Sequence, residues 1–303
     1  MTKLWQHPKF RSRIGQAIVV AIVLLAFAFL GHNLDQSLKR LGLRLGFKFL
    51  DSQAGFSVGE SVIPYNPSQP YSRVLLVGFL NSLRVIITSM ILATAIGLVA
   101  GIARLSDNWL VRQIAKVYVE TLRNLPLLIQ LLFWYFVVFL TLPKPENAIN
   151  LGIVQISRSG INLFGLALSP EFSSLCLGLT FYTGTFIAEI VRGGIQGVDR
   201  GQREAARALG LSASETLKLV ILPQALRSMI PSLSNQYLNL SKNSSLAIAI
   251  GYPDLYAISS TTFNQTGRAV EMMILLSLTY LAMSLSIALA LNLYNNRIQW
   301  RTR

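Results

Sequence analysis

The chain has 303 residues, of which 52% are hydrophobic and 13% are charged, and its formal net charge is +14. A soluble domain carries about twice that share of charge, so the composition excludes a soluble globular protein and indicates a helical membrane protein. The basic residues are scattered among apolar runs, which argues against nucleic acid as a partner and favours contact with anionic membrane lipids. The single cysteine, Cys176, excludes an intrachain disulfide, and no cluster of metal ligands is visible.

The first apolar run, 14–31, follows basic residues as a secretion signal would. It is long for a signal, has no small-residue cleavage site after it, and is near the length of about 20 residues that crosses a membrane. We therefore expect a retained anchor helix. The next segment, 32–73, is too polar to span and ends in a proline-rich loop. Its amphipathic part has apolar residues at helical spacing: Leu38, Leu41, Leu45 and Phe49.

We expect residues 1–73 to form an N-terminal unit, with 32–73 outside the cell and partly on the membrane surface. The basic residues of 39–48 argue for the opposite side. Five further apolar runs are expected to cross the membrane within a core formed by 74–296. They cover about 74–103, 116–142, 173–195, 227–250 and 269–293.

Six spans place both termini on the same side as the loop after the fourth span. That side is rich in arginine and lysine and includes the short basic tail, 297–303, so it is predicted to be cytoplasmic. The third span contains Pro126. The segments 143–171 and 251–267 are predicted to be outer loops.

The longest charged segment, 199–223, reads as two short helices joined at a glycine. Asp199 and Gln202 have the spacing of a helix N-cap and its reciprocal partner. Gly210 stands where the first helix would end in a left-handed residue, a conformation that costs glycine little. The first helix is therefore predicted to end at this glycine.

Ser212 and Glu215 form a second capping box, which predicts that a second helix begins there. Pro223 is expected to end this helix, because proline lacks the N–H group and clashes inside a helix. By spacing alone, 199–223 is equally well explained as an ordinary polar hairpin between two membrane helices.

The residues of this segment resemble the EAA loop of ATP-binding-cassette (ABC) importer permeases: Glu204-Ala205-Ala206, then Gly210, then Ile221-Leu222-Pro223. In that family the loop is the coupling helix that docks into a groove of a cytoplasmic ATPase. The small side chains would let the helix lie deep in the groove, and the charged ones would fix it there. The residues to which the resemblance gives this ATPase-coupling role are Arg203, Glu204, Ala205, Ala206, Arg207, Gly210, Leu222 and Pro223.

Three further stretches are similar to the polar amino acid permeases of the histidine and glutamine type: VETLRNLPLL at 119–128, AEIVRGG at 188–194 and KNSSLA at 242–247. The likeness covers about 74–293. The first span and the loop ending in Ile63-Pro64-Tyr65 resemble the extended general or neutral amino acid permeases of bacteria, including cyanobacteria. The resemblance implies the transmembrane domain of a type I ABC importer: an all-α fold of about six transmembrane helices with a cytoplasmic coupling loop.

The same resemblance implies the partners. Two permease subunits form the pore, two ATP-binding subunits drive it, and a periplasmic binding protein delivers amino acids at the bacterial inner membrane. In the extended subgroup the second permease is usually a different, homologous chain, although the residues leave a homodimer open. The chain has no GxxxxGK[ST] phosphate loop, so ATP and Mg²⁺ would bind the partner ATPase, and the chain itself is expected to be a non-catalytic subunit without a cofactor.

Polar groups inside membrane spans are costly, and they normally face the interior of the helix bundle. An amino acid zwitterion needs donors for its carboxylate and acceptors for its ammonium group. The candidate substrate-pathway residues lie on the third, fourth and fifth spans: Asn124, Thr183, Glu189, Asn243, Ser244 and Ser245. Glu189 either accepts from the substrate ammonium or pairs with Arg192 or Lys242. Residues 243–245 either contact substrate or form hydrogen bonds between helices.

Three more charged residues, Glu120, Arg123 and Lys242, are interpreted as a structural or gating set, in which Glu120 and Arg123 are close enough to pair. Other functions fit less well. An ion-coupled secondary amino acid transporter or channel needs acids at mid-membrane, where Glu189 alone is thin support, and it leaves 199–223 unexplained. A membrane enzyme lacks a recognisable nucleophile–base motif, and an ABC exporter half lacks this loop.

Overall fold

The structure is a computed structural model, and it describes residues 8–40 and 45–300. The chain divides into two compact units, with the boundary between Lys48 and Phe49. In the first unit, helix α1 runs over Pro8–Arg40 and contains the candidate membrane span Gly15–Ser37. Of the predicted amphipathic piece, Leu41 lies outside the described residues.

The second unit is mostly helical. Its α-helices are α2 Tyr71–Ala103, α3 Trp109–Asn124, α4 Leu127–Leu132, α5 Pro170–Gln196, α6 Arg200–Ala208, α7 Ala213–Glu215, α8 Leu222–Asn243, α9 Leu255–Thr266 and α10 Ala269–Trp300. A π-helical turn, Phe133–Val138, extends α4, and a second one, Thr216–Ile221, joins α7 to α8. Short 3-10 turns cover Lys48–Asp51, Phe139–Thr141, Pro145–Asn147 and Ser244–Ile250. Of the predicted tail, residues 297–300 are helical and 301–303 lie outside the described part.

By length and composition, four of the described helices can cross a membrane: Gly15–Ser37, Tyr71–Ala103, Pro170–Gln196 and Ala269–Leu293. A fifth span results if Trp109–Asn124 and Leu127–Thr141, which meet at 107°, are taken as one broken span. The sequence predicted six. The missing one is α8, which forms as a helix but carries Arg227, Lys242 and several amides and hydroxyls, so its composition does not by itself mark it as a span.

The third predicted span is broken rather than continuous at Pro126. Leu125 is extended, at φ −94° and ψ 134°, which is the conformation that a following proline favours. The break frees carbonyl groups, and the side chain of Gln130 donates to the carbonyl oxygens of Leu122 at 2.7 Å and Leu125 at 3.0 Å. The amide therefore stabilises the bend that the proline imposes.

The outer loop predicted at 143–171 contains an antiparallel sheet in the order β1-β2-β3-β4. Its strands are β1 Ile149–Asn150, β2 Val154–Ser157, β3 Gly160–Leu163 and β4 Leu166–Leu168. Val154 faces Leu163, and Ile161 faces Leu168. Gly160 has φ +107°, and a Cβ there would lie 2.0 Å from the carbonyl oxygen of Leu168, so this turn requires glycine.

The outer loop predicted at 251–267 contains helix α9. Asp254 caps its first turn by accepting from the backbone N–H of Ala257 at 2.8 Å. Gly267 ends the helix in the left-handed conformation, at φ +67°. Both residues are ordinary helix boundary signals. The sequence therefore indicated a helix here, and the prediction of a loop for this segment overlooked it.

Helices α2 and α5 pack at close range because small residues line their contact. A Cβ at Gly97 would lie 2.6 Å from the side chain of Ile187 and 2.9 Å from the carbonyl oxygen of Gly184. A Cβ at Gly101 would lie 2.7 Å from the carbonyl oxygen of Ala188. The two backbones can therefore approach this closely only without side chains at these positions.

Residues 49–70 belong to the same compact unit as the helices. Backbone hydrogen bonds close the segment on itself, from Ala54 N–H to the Gln69 carbonyl and from Gly55 N–H to the Pro67 carbonyl, both at 2.9 Å. Its side chains pack on α2 and α9 in a cluster of Phe49, Leu50, Ala54, Phe56, Val58, Ile63, Tyr65, Tyr71, Val74, Leu75, Val77 and Ile258. The compact core therefore begins earlier than the boundary expected at residue 73.

Candidate functional site

The first half of the charged segment forms helix α6 with the predicted ends. Asp199 caps it by accepting from the backbone N–H of Gly201 at 2.7 Å, which confirms the predicted N-cap. Gln202 does not return a hydrogen bond to this cap, and its side chain lies 3.3 Å from the amide nitrogen of Gln224. Gly210 follows the helix at φ +80°, as predicted.

The second half begins at the predicted capping box. Ser212 N–H donates to the Glu215 carboxylate at 2.9 Å, and Glu215 N–H donates to the Ser212 hydroxyl at 3.3 Å. The Ser212 hydroxyl also donates to the Glu215 carboxylate at 2.6 Å. This bond first, and the one from the Ser212 N–H second, lower the pKa of Glu215 from its ordinary value of 4.5. The prediction that Pro223 ends the helix is wrong, because α8 continues through it to Asn243. Pro223 is the second residue of α8, just after the π-helical turn, and its missing N–H is tolerated at this position.

The predicted coupling residues divide into an anchored side and an open side. Ala206 is 3% exposed and packs inward. Arg203 is half-buried and donates to the carbonyl oxygen of Ile195, in the last turns of α5, at 2.5 Å. Glu204, Ala205 and Arg207 are exposed. Leu222 is half-buried and Pro223 exposed, beyond the π-helical turn.

Glu189 lies in a charged cluster that joins α2, α3 and α5. Its carboxylate forms ion pairs with Arg104, at the end of α2, and with Arg192 at 2.9 Å, and the carboxylate-bearing side chain is 20% exposed. Arg192 also donates to Gln196 at 2.5 Å. The structural reading of Glu189 as a partner of Arg192 is thus observed. The sequence analysis did not predict the contact between Glu189 and Arg104. The available signal was the position of Arg104, which is the first charged residue after the second span and therefore lies at a helix end.

Glu120 extends the charged cluster to α3. Its carboxylate lies 3.8 Å from Arg104 and 3.9 Å from Lys116, rather than pairing with Arg123 as expected. The guanidinium of Arg123 instead lies over the ring of Phe186, 5.3 Å from its centroid. The cluster therefore ties the ends of three helices together at the side that leads into α6.

The remaining candidates are not gathered around Glu189. Ser244 and Ser245 donate to carbonyl oxygens of their own helix, those of Ser241 at 2.8 Å and Lys242 at 2.9 Å. Asn243 is half-buried and Lys242 exposed. Two further candidates lie on other helices: Thr183 is buried on α5, and the Asn124 side chain donates to the Glu120 carbonyl at 2.7 Å.

The candidates form two groups along α5. The 3-10 turn after Asn243 packs through Ala247 and Ile250 against Leu175 and Leu179 of α5. Glu189 lies ten or more residues further along that helix, which is about 15 Å at the rise of an α-helix. The turn that begins with Ser244 and Ser245, called the polar turn below, thus packs on the first half of α5, and the charged cluster lies on its second half. Within the described residues, no group of three or more His, Cys, Asp or Glu side chains is arranged to hold a metal ion.

Comparison with known proteins agrees with this architecture. Residues 93–300 match the family described as the inner membrane component of binding-protein-dependent transport systems. The general L-amino acid transport system permease protein AapQ of Rhizobium johnstonii is 37% identical, over 96% of this chain and 93% of that protein. The putative amino-acid ABC transporter permease protein YhdX of Escherichia coli is 36% identical, over 96% of this chain and 95% of that protein.

Among solved structures, a chain from the crystal structure of an amino acid ABC transporter with histidines superimposes with a TM-score of 0.61 at 28% identity. The superposition covers 75% of this chain and 95% of that one. The overall arrangement of the helices is therefore that of a known ABC transporter chain. The chain belongs to the family of inner membrane components of binding-protein-dependent transport systems, and it is the multi-pass, non-catalytic permease component of an ABC amino acid import system.

Proposed function

We propose that this chain imports polar L-amino acids as one of two homologous but different permease subunits, and that its coupling segment, 199–223, is seated on a cytoplasmic ATPase. The observation that carries the proposal is the open side of α6. Leu209, which follows its last turn, is 81% exposed, and Leu219 of the same segment is 66% exposed. Large apolar residues rimmed by charges mark protein partners. The exposed Glu204 and Arg207 supply that rim.

Because one side of α6 is bonded to α5 and packed against the core, α6 can transmit movement to α5. Arg203 holds the helix to the end of α5 through the Ile195 carbonyl, and Ala206 is buried beneath it. A push on the open side therefore moves α5, which carries Thr183 and Glu189. We assign the coupling role to Arg203 through Arg207 together with Gly210, Leu222 and Pro223.

The substrate pathway is assigned to the polar turn and the buried hydroxyl of α5. Asn243, Ser244 and Ser245 offer amide and hydroxyl groups that suit a zwitterion, and Asn124 and Thr183 extend this set. The similarity to AapQ supports L-amino acids as the substrate class. Glu189 is assigned to the inner gate together with Glu120 and Arg123, because two arginines already neutralise its carboxylate. Lys242, which is exposed and lies just before the polar turn, is assigned a structural role there.

The orientation is assigned from charge. The coupling segment and the residues after it carry several arginines and lysines, whereas Asp254 is the only charged residue in 251–267. An excess of basic residues marks the cytoplasmic side, so both termini and the coupling segment are placed inside. Asn81 of α2 supports this arrangement, since its side chain donates to the carbonyl oxygens of both Glu60 and Pro253, which brings 49–70 and 251–253 to the same end of α2.

The test is gentle purification of the tagged chain, identification of every co-purifying protein by mass spectrometry, and reconstitution of uptake. We expect an ATPase, a second permease of similar sequence and an extracytoplasmic binding protein. Uptake should stop when ATP is depleted with ion gradients intact. Uptake that survives ATP depletion, or a particle without an ATPase, refutes the proposal and favours ion-coupled transport. Recovery of this permease alone, with an ATPase, refutes only the heterodimer.

A further inference from the structure

The carboxylate of Glu60 joins residues 49–70 to two of the transport helices, α2 and α5. Glu60 forms an ion pair with Arg84 of α2, and its other carboxylate oxygen accepts from the hydroxyl of Ser169. The Glu60 side chain is 17% exposed and that of Arg84 25% exposed. At this burial the pair is screened less than a surface salt bridge, so it restrains the elements that it joins.

Ser169 is the N-cap of α5, so the fastening acts on the start of that helix. Its hydroxyl oxygen accepts from the backbone N–H of Phe172 at 3.0 Å while the hydroxyl donates to Glu60. The guanidinium of Arg84 lies over the ring of Phe172, 4.1 Å from its centroid. Three elements thus meet at Glu60: the segment 49–70, helix α2 and the first turn of α5.

The backbone of Glu60 is held as well. Asn81 is fully buried, and its side-chain amide donates to the Glu60 carbonyl at 2.8 Å and to the Pro253 carbonyl at 2.9 Å. One amide therefore joins 49–70 to the segment before α9. The position of Glu60 is fixed by both its backbone and its side chain.

Helix α5 links this point to the coupling segment. It has 27 residues and is about 40 Å long at the rise of an α-helix. Its inner end is tied to α6 by the hydrogen bond from Arg203 to the Ile195 carbonyl. Helix α5 is therefore bonded at both ends, at its C-terminal end to the coupling segment and at its N-terminal end to Glu60.

The segment 49–70 lies outside the part of the chain that matches the family, which begins at residue 93. AapQ aligns with 96% of this chain, whereas the superposition on the crystal structure with histidines covers 75% of it. The segment is nevertheless packed and hydrogen-bonded within the compact unit that contains the helices.

We propose that Glu60 is a positioning residue that makes 49–70 move as one body with α5, so that motion of the coupling segment reaches the outer surface where the binding protein is received. This rests on the proposed function, since it requires an ATPase inside and a binding protein outside. Glu60 touches no substrate. It acts through Arg84 and through the cap of α5.

The test uses the complete transporter in lipid nanodiscs with the binding protein that co-purifies with it, loaded from a mixture of the common L-amino acids. ATP hydrolysis is measured without the binding protein and across a range of its concentrations, per assembled complex. Glu60→Gln removes the charge and keeps the shape. The matched control is Glu146→Gln, which removes an exposed acid from the outer loop.

We expect Glu60→Gln to leave assembly and basal hydrolysis unchanged and to lower the stimulation by the binding protein by up to about tenfold, the worth of a charge-assisted hydrogen bond. Arg84→Gln should have the same effect, and the double variant should be no worse than either single one, since both remove one contact. The control should match wild type. A purely structural role would change stability and leave the stimulation ratio per complex untouched.

An unchanged stimulation ratio in Glu60→Gln overturns the inference. If that variant does not assemble, Arg84→Gln decides in the same way, because it removes the same ion pair from the side of the arginine. The two proposals fail differently. A wild-type complex that no loaded binding protein stimulates refutes the proposed function, whereas a stimulated wild type with an equally stimulated Glu60→Gln refutes only the role of Glu60.

Discussion

The close contact of α2 and α5 gives a quantitative prediction for Gly97→Ala. An added Cβ would lie 2.6 Å from the side chain of Ile187 and 2.9 Å from the backbone oxygen of Gly184, so the helices must move apart. Overpacking of this kind costs about 1–3 kcal/mol, and alanine returns about 1 kcal/mol as the better helix former, so the net loss is about 0–2 kcal/mol, toward the upper end because one of the close contacts is with backbone. Gly193→Ala is the matched control, because nothing lies within 4 Å of its added Cβ.

The assay is thermal unfolding of the purified transporter in one detergent, together with amino acid uptake in vesicles. Gly97→Ala should unfold at a lower temperature than wild type, whereas Gly193→Ala should match wild type or exceed it. Larger residues at position 97 should lower the yield of assembled complex further. If the two alanine variants unfold at the same temperature, the α2–α5 contact is not limited by backbone approach, and the argument from these glycines fails.

Further predictions concern the coupling segment and the charged cluster. Gly210→Pro and Glu204→Lys should abolish uptake with membrane insertion intact, because proline cannot adopt φ +80° and because the proposed ATPase contact would meet a reversed charge; normal uptake by either variant removes the coupling role. Glu189→Gln should impair uptake more than assembly, because it removes the ion pairs of Arg104 and Arg192 with this carboxylate at a cost of about 1–3 kcal/mol, and unchanged uptake kinetics would restrict Glu189 to a structural role. The pKa of Glu215 is lowered in the fold, so its ionised carboxylate stabilises the fold fully above the ordinary value of 4.5 and loses this effect as the pH falls through the lower pKa of the folded state. Ser212→Ala should therefore make stability depend less on pH at the acid end of a stability–pH curve. Identical curves for the variant and wild type would contradict this.

Local signals in the sequence predicted the coupling segment well. The N-cap at Asp199, the left-handed Gly210 and the box of Ser212 with Glu215 depend on neighbours within a few residues, and all three form. The end at Pro223 was wrong because a proline at the second position of a helix needs no N–H partner. The segment therefore continues into α8 without a stop.

Features that depend on contacts between residues far apart in the sequence could not be predicted from such local signals. The partners of Glu189 include Arg104, on another helix and far away in sequence, and nothing in either local pattern specifies the contact. The strands at 149–168 are two to four residues long and sit in a segment with no long alternation, so periodicity gives no signal. The helix at Leu255–Thr266 did have a cap and a terminal glycine, and there the interpretation as a loop overlooked available evidence.

The placement of charge along α5 separates substrate handling from gating. A carboxylate that is already paired with two guanidinium groups can take up an ammonium group only if those pairs break, and Glu189 is held by Arg104 from α2 and by Arg192 from its own helix. The polar turn after Asn243 packs about 15 Å further out along the same helix and carries no charge from Ser244 to Ile250. In the proposed function, a zwitterion would thus meet neutral donors and acceptors first and a closed ion-pair cluster second. Because α6 is hydrogen-bonded to the end of α5 that carries the ion pairs, the proposed movement of the coupling segment would strain these pairs before it reached the polar turn.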